Sequence, residues 1–453
     1  METLRADDVV IGAGFAGLSA AVRLADAGRR VIVVEEAPRL GGRATAFVDR
    51  ESGERVDNGQ HVLFGCYRET YAFLERLGTT HLAPLQPNLS VAMADGSGRH
   101  GKLRCPPWRP PWHLMAGVLT WRALPLADRL SAIRLAPLLR QVRRDGPAAV
   151  AARVAASDTV SSWLPSHGQS RRLCEWLWHP LAVAALNQDP AAAAAAPFVR
   201  VLGELFGPRR EDAAIGLASV PLDELYAEPA RRFLEARGGA VLTRSAARVR
   251  LGSAGKVSHV EAGSALIETT SVVAAMPWHA FGRIWERDVP PALADTASRA
   301  AAMESSPIVT VNLWFDGAVM REPFVGLVGG PMHWVFDKST IFGAAAGHLS
   351  IVSSGAAAIA RLENAELTSL AHRQLTDAMP EARARQLLRS VVVREHRATF
   401  SLSPGAPARP ATRTAVGGLF LAGDWTDTGL PATIEGAVLS GHRAARAILD
   451  VKA

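Results

Sequence analysis

The chain has 453 residues, 48% of them hydrophobic and 21% charged, with a formal net charge of +7. That composition excludes a disordered or fibrous chain and suits a soluble globular enzyme of two or three domains with a sizeable core. Three cysteines, Cys66, Cys105 and Cys174, with no C-x-x-C pair, exclude a disulfide framework and argue against a zinc site.

The N-terminus, "METLRADDVVIGAG", carries no apolar signal region before its first strand. No run approaches the ~18 apolar residues that span a bilayer. The expected location is the cytoplasm, peripherally associated with the inner face of the cell membrane.

Residues 7–36 read "DDVVIGAGFAGLSAAVRLADAGRRVIVVEE". A short apolar strand, Val9–Ile11, leads into Gly12, Gly14 and Gly17. A helix follows, with apolar or small residues at Leu18, Ala21, Val22 and Ala25. A second strand, Val31–Val34, stops at Glu35. This is the opening of a Rossmann-like α/β dinucleotide-binding domain. Gly12 permits the tight turn, Gly14 lets a diphosphate approach the backbone, and Gly17 lets helix pack on strand. The helix start at Phe15 and Ala16 favours phosphate, and Glu35, with Glu36 beside it, is placed to accept ribose hydroxyls. Six residues after Glu35, Gly41, Gly42 and Arg43 supply more backbone donors and a cation near the diphosphate.

"VDNGQHVLFG" (56–65) gathers Asp57, Asn58, Gln60 and His61 around Gly59, between strand-like apolar residues. No second His or Cys stands at ligand spacing, so a metal is not expected. The partner is then a cofactor or a substrate, or His61 is a buried structural side chain.

Between Arg99 and Arg144 stand ten Lys or Arg and a single acid, Asp128, together with Trp108, Trp112 and Trp121. This mixture suits an anionic membrane surface. It equally suits a solvated helix face with the tryptophans in the core; nucleic acid is not expected as a partner. Trp176, Trp178, Trp314, Phe315, Trp334 and Phe336 could line an apolar tunnel or pack as core. At the far end, "LFLAGDWTDTGLPATIEGAVLSGHRAARA" (419–447) runs from a strand into Gly423-Asp424, then a loop to Thr433 and a helix from Ile434-Glu435-Gly436.

"VVEEAPRLGGR" and the 419–447 segment resemble the signature of the flavin-dependent amine oxidases and carotenoid desaturases. The resemblance implies FAD, held non-covalently here, because no Cys or His stands in the usual attachment context near Gly423. It implies contacts at Gly59, Gln60, His61, Asp424, Thr433, Ile434 and Glu435. "ARGGAVLTRSAARVRL" (236–251) resembles the segment whose backbone meets adenine, at about Val249. "SVVAAMPWHA" (271–280) resembles the strand that returns to the cofactor domain. The implied FAD domain is discontinuous, comprising 1–87, 205–290 and 405–453, with an interleaved α+β substrate domain from 88–204 and 291–404.

Within that superfamily, an amine oxidase is poorly supplied. Of four lysines only Lys338 is plausibly placed near a flavin, and the tyrosines number three, Tyr67, Tyr71 and Tyr226. "DNGQHVLFGCYRETYAFLERLG", "WLWHPLAVAALNQDP", "HWVFDK" and "AGDWTDTGLPATIEGAVLSG" are similar to the squalene-associated FAD-dependent desaturases, also called hydroxysqualene dehydroxylases. That resemblance implies reduction of hydroxysqualene to squalene in bacterial hopanoid or related triterpene synthesis. The substrate would be a long-chain C30 isoprenoid, handed over from upstream squalene or hydroxysqualene synthase-like enzymes. Loss of an allylic hydroxyl needs a proton donor, and His61, His179 and Asp337 are the candidates. The alternatives are a desaturase of a carotenoid precursor, which runs the redox chemistry the other way, and a non-enzymatic prenyl-lipid-binding protein of the same fold.

Overall fold

A computed structural model describes residues 2–51, 53–343 and 346–452. Its first layer is a five-stranded parallel sheet in the order Ala240–Leu242, Val31–Val34, Asp8–Ile11, Val272–Ala274, Leu419–Leu421. Val9, Val10, Val31, Val33, Val272 and Val273 are all fully buried. Consecutive apolar residues, rather than alternating ones, are what a parallel strand covered on both faces requires. Helices Phe15–Asp26 and Ile434–Lys452 pack together beside this sheet. A four-stranded sheet (Glu2–Arg5, Ala265–Glu268, Val257–Ala262, Ala247–Leu251) lies in the same part of the sequence.

The second large sheet has seven strands, in the order Leu387–Phe400, Ser305–Phe315, His348–Ser354, Trp334–Asp337, Phe324–Val328, Ser90–Asp95, His100–Arg104. Its pairings are antiparallel except between Phe324–Val328 and Ser90–Asp95. Helices fill the chain between its His100–Arg104 strand and residue 205. The fold is thus α/β, with a Rossmann-like layer and an interleaved α+β layer.

The basic segment is largely helical, through Trp112–Thr120, Leu126–Ser131 and Ala136–Asp145. Its three tryptophans do not share one fate. Trp108 and Trp112 are 57% and 61% exposed, whereas Trp121 is 2% exposed and packs edge-on against Trp176. Leu126, Leu130 and Ile133 are exposed as well. Two turns of apolar side chains therefore stand in solvent among arginines, where a solvated helix face would carry polar groups. No helix among the described residues is long and apolar enough to cross a membrane.

Candidate functional site

A cavity of about 950 Å³ runs between the two layers. Its three compartments differ in chemistry.

The first is built at the carboxyl ends of the parallel strands, where α/β sheets bind ligands. Gly12, Gly14, Phe15, Ala16, Glu35, Glu36, Gly42 and Arg43 all line it. Gly14 precedes the first helical turn and offers no side-chain cap, so the turn's amides point free at the cavity. A Cβ on Gly14 would have its nearest neighbour 4.0 Å away, at the Gly41 carbonyl, whereas one on Gly17 would lie 1.9 Å from the Gly12 carbonyl oxygen. The two glycines therefore do different things: Gly14 leaves room above the backbone, and Gly17 lets helix touch strand. Gly17 accordingly lies outside the lining. Glu35 accepts from the Ala13 amide at 2.7 Å and the Ala37 amide at 2.9 Å, which holds its carboxylate at the cavity wall.

The second compartment is the polar junction. Arg43 donates to Asp424 at 2.7 Å and to the Ala398 carbonyl at 2.7 Å. Burial works against the Arg43 charge, but Asp424 and Glu395 more than offset it and hold the pKa above the ordinary guanidinium value. Gly59, Gln60, His61, Gly423, Thr433 and Ile434 complete the wall. His61 Nδ1 lies 2.8 Å from the Gly59 carbonyl. A carbonyl only accepts, so Nδ1 carries the hydrogen and the neutral ring has a bare Nε2. Burial pushes the His61 pKa down, with Lys338 and Arg43 adding to the fall and Asp57 opposing it. Behind this loop, and outside the cavity lining, Lys338 donates to Asp57 at 2.8 Å and to the Gln60 side-chain oxygen at 2.5 Å.

The third compartment is apolar. Leu89, Val91, Met115, Leu119, Leu139, Trp176, Ile308, Phe324, Trp334 and Phe336 are among its walls. Trp178 also lines the cavity, whereas Trp314 and Phe315 do not. Trp314 donates to Glu54 at 2.7 Å and stacks on His348. Helix His179–Leu186 and the π-helical turn before it contribute Leu177, Pro180, Leu181, Ala184 and Ala185, the i, i+3, i+4, i+7, i+8 stripe of one helix face.

Four further expected residues stand off the cavity, each for an identifiable reason. His179 falls two residues from Leu177, off that stripe. Asp337 spends both carboxylate oxygens capping the helix Lys338–Phe342, accepting from the Ser339 and Thr340 amides and hydroxyls. Glu435 accepts from the Glu69 and Thr70 amides and the Thr70 hydroxyl, tying its helix to the start of Arg68–Leu77. Val249 is buried and paired with Val260 in the four-stranded sheet, while Ser245, Ala246, Ala247 and Arg248 supply that cavity wall.

Sequence reasoning missed Tyr67, His279, Glu395 and Arg397 as lining residues. Tyr67 sits in the "HVLFGCY" run, next to the polar knot, and burial raises its pKa so that it remains a phenol. Glu395 and Arg397 lie at one end of the long strand Leu387–Phe400, and no local pattern marks them. Among the described residues no group of three or more His, Cys, Asp or Glu side chains could hold a metal.

Comparison with known proteins agrees with this geometry. The chain matches the family described as flavin containing amine oxidoreductase over residues 15–449. It is 30% identical over 451 residues to a hydroxysqualene dehydroxylase of Sinorhizobium fredii, covering 96% of each chain. It is 29% identical over 450 residues to a hydroxysqualene dehydroxylase of Rhodopseudomonas palustris, covering 97% of each. Its fold matches the structure of cyclohexylamine oxidase from Brevibacterium oxydans with a TM-score of 0.71 at 20% identity, covering 99% of each chain.

Proposed function

Because the chain belongs to the flavin containing amine oxidoreductase family, we propose that it is a hydroxysqualene dehydroxylase, removing the hydroxyl of hydroxysqualene to give squalene. One observation carries the reading beyond the likeness of the relatives. A single cavity joins a glycine-rich, anion-favouring cradle to a long apolar compartment, with titratable groups gathered where the two meet. An amine substrate would instead call for an acidic partner in the third compartment, and the acids that line the cavity, Glu35, Glu36, Glu395 and Asp424, stand in the other two.

The residues present fit a non-covalently held FAD. The space over Gly14, the free amides of the first helical turn, and Arg43 locked on Asp424 suit a diphosphate. Glu35 suits ribose hydroxyls, and the backbone of 245–248 closes the same end. Gly59, Gln60, His61, Gly423, Thr433 and Ile434 would face the remainder. The helix Ile434–Lys452 points its positive end there, and its Glu435 side chain serves the neighbouring helix. The cofactor domain would then comprise 1–87, 205–290 and 405–453, and the substrate domain 88–204 and 291–404. In its reduced form the flavin supplies the hydride that replaces the hydroxyl.

The chain's own residues do the rest. The apolar compartment binds the C30 chain and excludes water from the reacting carbon. Hydroxide is a poor leaving group, so the allylic carbon–oxygen bond breaks as the oxygen gains a proton and departs as water. His61 is the donor in this proposal: its Nδ1–H is held by Gly59, so Nε2 is the atom that carries and releases the proton. His179 and Asp337, placed off the cavity, drop out of that role.

The exposed Trp108, Trp112, Leu126, Leu130 and Ile133 support docking of the 99–144 segment on a membrane surface. Leu114, Met115 and Leu119 of the same segment line the cavity, so a polyene dissolved in the bilayer, released by the upstream enzyme that makes it, would have a short way in. The test is anaerobic incubation of hydroxysqualene with the protein and reduced flavin, followed by product analysis. Squalene is expected. A carotenoid precursor desaturated in place of squalene formation overturns the reading.

A further inference from the structure

A second recess, of about 1000 Å³, opens beside the exposed apolar helices. Six cations line it: Arg99, Lys102, Arg104, Arg122, Arg129 and Arg172. No carboxylate does. Three of the six have an acidic partner outside the recess: Arg99 with Asp95 at 3.8 Å, Lys102 with Glu322 at 2.7 Å, and Arg172 with Asp128 at 3.5 Å. Among the described residues, no ion pair engages Arg104, Arg122 or Arg129. Arg129 Nε is moreover buried without a hydrogen-bond partner, although its Nη1 donates to the Leu119 carbonyl at 2.5 Å. Like charges this close repel, and a buried guanidinium nitrogen left unpaired is costly. The recess is chemically incomplete without an anion.

Its position says which anion. The floor is the turn Thr120–Pro125, and the next residue, Leu126, is the first of the exposed apolar side chains on the following helix. Trp121 and Arg129 form a wall common to the recess and the main cavity. Guanidinium groups match phosphate oxygens in pairs. We propose that the recess binds the phosphate of an anionic phospholipid headgroup, fixing the protein on the bilayer with the cavity's apolar end towards the acyl chains. This rests on the membrane-docking reading and adds to it a built, stoichiometric lipid site.

The test uses the flavin-loaded full chain, sedimented with phosphatidylcholine vesicles and with phosphatidylcholine vesicles containing phosphatidylglycerol. Arg104→Ala with Arg122→Ala removes two recess cations. Arg140→Ala with Arg143→Ala removes the same charge from an exposed helix outside the recess, and Trp112→Ser with Leu126→Ser removes apolar contact. The recess pair is expected to lose about tenfold or more of the affinity for phosphatidylglycerol vesicles. The control pair should lose markedly less, and soluble glycerophosphate should compete with wild type but not with the recess pair. Equal losses in the two arginine pairs, or equal wild-type binding to both vesicle types, overturn the headgroup site while leaving membrane docking in place. Failure of wild type to bind either vesicle overturns both. Single-stranded RNA that binds the recess more tightly than the vesicles do also overturns the lipid assignment.

Discussion

Lys338 and Asp57 form an ion pair at 2.8 Å, with their side chains only 1% and 4% exposed. The same ammonium holds the Gln60 side-chain oxygen, so one buried cation ties the substrate-side sheet to the loop that presents Gln60 and His61. Breaking a buried pair by removing one partner leaves a charge without water or counter-ion. Lys338→Met should therefore cost about 3–5 kcal/mol in denaturant unfolding. Lys338→Met with Asp57→Leu should recover part of that loss. A single Lys338→Met variant as stable as wild type would show that the pair carries no structural weight.

Gly14 and Gly17 separate binding from folding. Gly14→Val should give a folded protein without flavin, because the added side chain meets only the space the diphosphate needs. Gly17→Val should fail to fold, because the side chain meets the Gly12 carbonyl. Flavin absorbance and a circular dichroism melt of the two purified variants distinguish these outcomes. Wild-type flavin content in Gly14→Val is the result that defeats the cofactor placement.

Glu35 should matter twice. Glu35→Ala removes the expected ribose contact and also leaves the Ala13 and Ala37 amides without their acceptor. Flavin retention should weaken by ~1–3 kcal/mol. Glu35→Gln keeps an acceptor oxygen and should lose less, as read by flavin titration of the apoprotein.

His61→Ala should slow single-turnover squalene formation by ~10²–10⁴-fold with flavin bound. In the proposed role the imidazolium is the donor, and because burial lowers its pKa, wild type would work with a minor protonated fraction at neutral pH. The single-turnover rate should then rise as pH falls, by about tenfold per unit until the lowered pKa is reached. A pH-independent rate in wild type removes His61 from the role.

Acid should destabilise the fold before it protonates the carboxylates. His333 is held at about 4 by burial, and its Nδ1 accepts from the Ser354 amide at 3.1 Å, a bond only the neutral ring can make. Burial also holds His348 at about 3. These residues stay neutral when folded and take up protons near 6.5 when unfolded. The unfolded chain thus binds more protons below that pH, and stability falls as pH drops from about 6.5 towards 4. Unfolding midpoints measured across that window should decline steadily. A flat profile would mean that these rings are solvated in solution.

The Rossmann opening was legible because its parts are neighbours in sequence. Strand, glycines, helix, second strand and Glu35 fall within one stretch of chain, and each local choice constrains the next. Side-chain destinations were less legible, because remote partners decide them. Trp121 is buried and packs on Trp176, while Trp108 and Trp112, earlier in the same segment, stand more than half exposed. Glu435 faces a helix contributed by residues 68–77, and Asp337 serves its own helix start; neither pattern announces this. Val249 shows the limit of register: one to four residues separate it, in the core, from Ser245, Ala246, Ala247 and Arg248 on the cavity wall. Arg397 and Glu395 enter through a long strand whose spacing carries no motif.

The strand order of the parallel sheet has a consequence for synthesis on the ribosome. Asp8–Ile11 emerges well before its neighbour Val272–Ala274, and Leu419–Leu421 comes later still. Until then the nascent chain holds apolar strand edges that nothing covers. Such non-local pairing is slow and exposed to aggregation. The helix Ile434–Lys452, whose first residue lines the cavity, follows both of those strands. A complete cradle therefore exists only once these distant segments have been made, and production of the protein should depend on chaperone capacity and flavin supply.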